Sequence, residues 1–124
     1  MGFFNRNRNQ ELLALDSALN QRIQEGKALE ALEEFYSDDV IMQENDSPPT
    51  VGKAANRERE QAFFAAISEL RQASVIAQGA GDNVTFSHWD MDFTHREWGV
   101  RTFRQVAVRT WKNGKIVREV FHYG

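Results

Sequence analysis

Cysteine is absent from this chain. Its absence excludes a disulfide scaffold, a thiol nucleophile and cysteine-based zinc or iron–sulfur sites, and it fits a reducing, cytoplasmic setting. Proline is scarce, with both residues side by side at Pro48-Pro49. No run of about 18 apolar residues occurs, so no segment reads as a membrane span. Met1-Gly2-Phe3-Phe4-Asn5-Arg6 has no apolar stretch behind it and does not read as a secretory signal. Charge of one sign is also lacking, the formal net charge being −3. Residues 1–83 hold 8 basic and 14 acidic side chains, and residues 84–124 hold 7 and 4. The later arginines alternate with apolar residues and acids, which reads as sheet-face ion pairs and not as the basic stripe of a nucleic-acid binder. What is present suits one domain: 124 residues, 41% of them hydrophobic, with nine Phe, three Trp and two Tyr for a core. The expected organisation is a flexible segment over 1–8, whose Phe3 and Phe4 either fray or dock, and a single domain over 9–124.

Leu12, Leu13, Leu15, Leu19 and Ile23 recur at helical spacing and predict a helix over about 9–24, with Gly26 as its C′ residue. A second helix is expected over 27–36 and a short strand over 40–44. A loop around the prolines over 45–52 and a third helix over 53–72 follow. Arg57, Glu58, Arg59, Glu60 and Glu69 fall on the wet side of that helix. From Ala73 the period becomes two, predicting strands over 73–78, 84–95, 100–112 and 115–123. Asn113-Gly114 is the strongest hairpin signal, since both residues accept the positive φ of a type I′ turn. Helices first and long strands last argue for an α+β fold with an antiparallel sheet.

A two-residue turn at Asn113-Gly114 and another at Trp98-Gly99 would set the strand registers. They would gather Trp89, Met91, Phe93, Val106, Val108, Val117 and Phe121 on one face, with Arg104, Glu119, His95 and Tyr123 as its polar members. Three amphipathic helices are available to cover that face, making a cone with a ligand-sized cavity. The opposite face would hold Trp111, Ile116, Val120, Arg109, Arg118 and His122, a mixture that sheet-to-sheet dimerisation would explain.

Ala31-Leu32-Glu33-Glu34-Phe35-Tyr36-Ser37-Asp38-Asp39-Val40, the Pro-rich loop closing on Gly52-Lys53, and Trp111-Lys112-Asn113-Gly114-Lys115-Ile116-Val117-Arg118-Glu119 carry a resemblance. They resemble the nuclear transport factor 2-like superfamily and, within it, the SnoaL-like (polyketide cyclase-like) proteins, over residues 9–123. The resemblance implies a cone-shaped α+β barrel, cystatin-like, with three N-terminal helices on a curved, mostly antiparallel sheet. It also implies a pocket between the two layers and a homodimer. It speaks to fold more than to function, because such folds host enzymes, binders and assembly domains. In the ketosteroid-isomerase branch the count from the Tyr of the helix-to-strand passage ends on a proton-shuttling carboxylate, and here it lands on Glu44. The oxyanion-hole donors of that branch have Leu19 and Ala107 as their approximate counterparts, which argues against a steroid isomerase. The acid of the polyketide cyclases on the last strands is likewise missing, Glu119 being the one acid nearby.

Glu44 is the candidate base at the pocket mouth, where burial would raise its pKa for proton abstraction next to a carbonyl; the plain alternative is an exposed strand-end Glu. Glu119 and Arg104 would either bind a polar ligand group or pair with each other. His95 is a candidate acid–base group or a rim residue. Tyr36, Met42, Trp89, Met91, Phe93, Val106, Val108, Phe121 and Tyr123 would line or fill the cavity. His88, Asp90 and Asp92 share a strand face, but alternate residues lie about 7 Å apart, too far for one ion. A cross-strand polar ladder is the expectation there, with His88 facing Arg109 and Asp92 facing Gln105, and no metal or cofactor is expected. The functional expectation is a small hydrophobic ligand, with isomerase, cyclase or dehydratase chemistry on a carbonyl compound; Arg104 or His95 would polarise it. A non-catalytic ligand-binding module and a dimeric assembly domain are the alternatives. Neither nucleic acid nor membrane is an expected partner.

Overall fold

The computed structural model describes residues 2–124, with side-chain surroundings from Asn7 onward. The expected docking of Phe3 and Phe4 lies outside the described side chains. Helix α1 spans Gly2–Gln24, α2 spans Ala28–Phe35 and α3 spans Lys53–Ala66. The strands are β1 Tyr36–Glu44, β2 Thr50–Val51, β3 Ile67–Gly81, β4 Val84–His95, β5 Gly99–Lys112 and β6 Lys115–Tyr123. They form one curled six-stranded sheet in the order β2-β1-β6-β5-β4-β3. Every pairing is antiparallel except β1 with β6. The edge strands β2 and β3 do not pair with each other among the described residues, so the barrel stays open.

Helix α1 ends as its sequence implies. Gly26 takes φ 81°, its N–H reaches Ile23 O at 3.0 Å, and Lys27 N–H reaches Arg22 O at 2.8 Å. These are the two bonds of a Schellman cap. Leu12 and Leu19 of α1 pack with Ala31, Leu32 and Phe35 of α2, Val40 and Met42 of β1, and Trp111 and Ile116 at the β5–β6 hairpin. That cluster closes one end of the molecule.

Several boundaries differ from expectation. Helix α3 stops at Ala66, because β3 begins at Ile67 and pairs with β4 along its whole length. Register shifts between Ile67 and Glu69 and between Leu70 and Gln72 bring Ile67, Leu70 and Ala73 onto the same cavity wall. Bulges that turn every third residue inward imitate a helical stripe in the sequence. Strand β1 begins at Tyr36, not Val40, and absorbs Ser37-Asp38-Asp39 as an irregularity in its pairing with β6. The expected loop contains the short strand β2, which pairs with Ile41 and Met42.

Two register corrections decide which residues face inward. Asn113 (φ 53°) and Gly114 (φ 76°) make the expected turn, and Lys112 opposes Lys115 and Trp111 opposes Ile116. The register then slips, so that Thr110 opposes Arg118 and Arg109 opposes Glu119. Val117 is the extra residue of a β-bulge. Ile116 and Glu119 thereby both face inward with Arg109 and Trp111, contrary to the expected outward placement of Arg109, Trp111 and Ile116. The β4–β5 connection holds three residues, His95 opposing Gly99, instead of a two-residue turn at Trp98-Gly99. Trp89 therefore opposes Gln105 and not Val108, and Met91 opposes Phe103 and not Val106. Val106, Val108 and Arg104 sit on the outer face, where they oppose His88, Phe86 and Asp90.

Candidate functional site

Helices and sheet enclose a cavity of about 910 Å³, within the range of small-molecule sites. Its walls include Ile23 from α1, Leu29 from α2, Phe63 and Phe64 from α3, and Trp89, Met91 and Phe93 from β4. Phe63 meets Phe93 edge-on at 5.5 Å, and Phe93 meets Phe103 at 5.8 Å. The aromatic wall follows from the alternation along β4 and β5, with α3 laid across it.

Tyr36, Arg109 and Glu119 of the cavity wall belong to a buried polar network. Arg109 Nε donates to Glu119 Oε2 at 2.7 Å, and its Nη1 donates to Asp16 Oδ1 at 2.6 Å and Asn20 Oδ1 at 2.7 Å. Tyr36 Oη donates to Glu119 Oε2 at 2.8 Å. Ser87, Thr85 and Gln78 donate to Asp16, and Trp111 Nε1 donates to Thr85 Oγ1 at 2.8 Å. Burial alone would push the Asp16 carboxyl up, but the Arg109 charge and these hydrogen bonds outweigh it and hold it below its ordinary value. Burial, then the neighbouring Glu119 charge, push the Tyr36 phenol well up. Burial opposes the Arg109 charge, yet the facing acidic groups hold its pKa above the usual arginine value.

Glu60 projects from α3 into the same cavity. It is half-buried, and its Oε2 is shielded with no hydrogen-bond partner among the described residues. Burial and the Glu119 charge, opposed by Arg59, raise its carboxyl to about 7.

The expected site residues divide into those the cavity gathers and those it does not. Glu44, His95, Glu119, Tyr36, Trp89, Met91, Phe93, Phe121 and Tyr123 all line it. Glu44 sits at the mouth with a side chain 47% exposed, 3.8 Å from Arg59 and accepting from Tyr123 Oη at 3.3 Å. Burial and Glu44 raise the Tyr123 phenol. His95 is buried and stacks on Trp98 at 3.7 Å, while its Nδ1 accepts the Glu97 and Trp98 backbone N–H groups. Met42 is buried in the core cluster and does not line the cavity. Arg104 is exposed on the outer face, 3.6 Å from Asp90, so it is neither the Glu119 partner nor a polarising group. Val106 and Val108 are turned outward by the three-residue connection. The inward cation of β5 near the mouth is Arg101. The polar ladder also changes: His88 opposes Val106, and Asp92 bonds Arg71 and Thr102. No cluster of three or more His, Cys, Asp or Glu side chains is arranged for a metal ion among the described residues.

Asp16 and Asn20 are absent from the expected site and Glu60 is expected on the wet side of α3, yet the spacing of Asp16 and Glu60 holds the signal. Asp16 lies four residues after Leu12 and three before Leu19, so it interrupts the buried stripe of α1. Glu60 lies three residues before Phe63 and shares its helix face instead of the wet side.

The family described as SnoaL-like domain matches residues 17–119. A comparison with curated proteins returns no match. Among solved structures, a Mesorhizobium loti protein provisionally described as a SnoaL-like polyketide cyclase superposes with a TM-score of 0.81 at 25% identity, covering 90% of this chain and 98% of that one. An NTF2-like protein of unknown function from Burkholderia xenovorans gives a TM-score of 0.73 at 16% identity, covering 93% and 84%. An LEH-like epoxide hydrolase of Mycobacterium tuberculosis gives 0.76 at 10% identity, covering 94% and 85%. The last two likenesses concern the fold alone.

Proposed function

The chain belongs to the SnoaL-like domain family, and on that premise we propose that its cavity takes up a small hydrophobic molecule and moves a proton on it without a cofactor. Glu60 is the proton-transferring carboxyl. The carrying observation is its shielded, unpartnered Oε2 on the cavity wall. A carboxyl raised to about 7 exists in both protonation states near neutral pH, the condition under which a general acid or base works best. Glu44, the residue favoured by the sequence, is half-exposed and tied to Arg59 and Tyr123 at the mouth, so it fits ligand entry better than proton abstraction. Arg101 and His95 are the cavity groups available to polarise a carbonyl. Cyclisation at an activated carbon and epoxide opening by water both need a base and a proton donor, which is the chemistry this carboxyl supplies. The reading includes a cytoplasmic homodimer joined through the outer sheet face, where Phe86 is 44% exposed.

Proton abstraction is tested with 2-phenylcyclohexanone in D2O, following loss of its α-proton signal by NMR. We expect exchange above the buffer rate, rising through pH 7 and falling about 100-fold in Glu60→Gln, the scale of a general base. Exchange that persists unchanged in that variant would remove Glu60 from the role. A ketone that binds without exchanging would leave the non-catalytic binding module.

A further inference from the structure

We infer that the molecule this cavity receives carries a protonated amine, seated on Glu119 Oε1. The inference rests on the reading that the cavity takes a small hydrophobic molecule, and it names the group at that molecule's polar end. Glu119 is 1% exposed and forms part of the cavity wall. Its Oε2 accepts from both Tyr36 and Arg109, whereas its Oε1 has no partner among the described residues. A buried carboxylate oxygen left without a donor is costly, so the site calls for a donor from outside the chain.

Among the described residues, no donor of the chain bonds Oε1. Arg109 gives Nε to Glu119 Oε2 and Nη1 to Asp16 and Asn20. Arg59 lies against Glu44 and Asn56. Charge narrows the choice of donor further. Asp16 and Glu119 share the single Arg109 cation, which leaves one excess negative charge in the buried cluster. Ionised Glu60 adds a second on the same cavity. A hydroxyl would fill the hydrogen bond and leave that charge unbalanced. An ammonium does both, through a charge-assisted bond. The aromatic rings of Phe63 and Trp89 suit the apolar body of such a ligand, and ring faces tolerate a cation beside them.

The test is calorimetric titration at pH 8 with three probes on one carbon skeleton: 2-phenylethylamine, 2-phenylethanol and phenylacetate. The amine should bind about tenfold or more tighter than the alcohol, the difference between a charge-assisted and a neutral hydrogen bond, with phenylacetate weakest. Glu119→Gln should abolish that preference while leaving the alcohol within about threefold of its original affinity. Glu60 adds a pH signature. The charged groups around it are Glu119 on β6, Arg59 on its own helix, Arg109 on β5 and the Tyr36 phenol on β1, and His95 on β4 lines the same cavity. An ammonium favours the ionised carboxylate, so amine binding should weaken severalfold from pH 8 to pH 5.5. Glu60→Gln should remove that dependence, which separates it from any titration of His95. This second variant also keeps the inference testable should Glu119→Gln fail to fold. Equal affinity for amine and alcohol would overturn the inference and leave the cavity reading intact. Tightest binding of phenylacetate would overturn it in favour of Arg101 as the anchor. No binding of any probe would overturn both.

Discussion

Replacing Arg109 with Met is expected to cost about 3–5 kcal/mol of folding stability, the scale seen when one partner of a buried ion pair is removed. The loss comes less from the missing attraction than from what stays behind. Asp16 and Glu119 would keep their places at 0% and 1% side-chain exposure with no cation between them. Urea denaturation at pH 7 would show a lower midpoint with an unchanged slope. Acid should partly rescue the variant. Both stranded carboxyls would bind protons more tightly folded than unfolded, so the deficit should shrink as pH falls. In the unaltered protein Asp16 has the opposite linkage. Its folded pKa lies below the ordinary value, so its contribution is present at neutral pH and fades in acid. A deficit below about 1 kcal/mol would mean that water reaches the network and screens it.

Glu60→Gln should stabilise the protein at pH 8 by about 3 kcal/mol while removing the exchange activity proposed for it. The magnitude follows from a carboxyl raised from 4.5 to about 7 on folding. The folded state holds the Glu60 proton more tightly than the unfolded state does. Stability due to this group therefore falls as pH rises from 4.5 to 7 and levels off above that. Glutamine carries no such proton, so the two stability curves should coincide near pH 4 and diverge toward pH 8. Thermal or urea unfolding across this range measures the divergence directly. Parallel curves would mean that Glu60 is as well solvated as a surface carboxylate. A side chain that costs stability where it sits is what a site maintained for chemistry looks like.

Much of the fold is legible in the residues. The stripe Leu12, Leu19 and Ile23 gives α1 its buried face, Gly26 ends it, and Asn113-Gly114 sets a hairpin where it is expected. The family resemblance drawn from the Phe35-Tyr36-Ser37-Asp38-Asp39 passage and the terminal hairpin holds. The site was only partly legible, because strand side chains alternate with a period of two and any odd displacement reverses a strand. One extra residue in the β4–β5 connection turns Arg109 in and Val106, Val108 and Arg104 out, and one unforeseen bulge on β6 sets Glu119 opposite Arg109. Trp89, Met91 and Phe93 of β4 line the cavity together, as alternate residues of one strand must share a face in any register. Asp16 and Glu60 escaped for a different reason. Charged residues on a helix default to the solvent side, and what brings these two inward is the partner set of Asp16 and the aromatic neighbours of Glu60.

The bulge at Val117 has one more consequence. A β-strand reads like a text in which every second letter faces the same way, and one inserted letter is a frameshift. Upstream of Val117 the hairpin shows Ile116 to the interior; downstream it shows Glu119, Phe121 and Tyr123. Without the insertion the same strand would offer the interior Arg118, Val120 and His122. The chemistry of this cavity thus depends on a residue that takes no part in it, and gain or loss of a single residue at that point can exchange one wall for another without altering any other element of the fold.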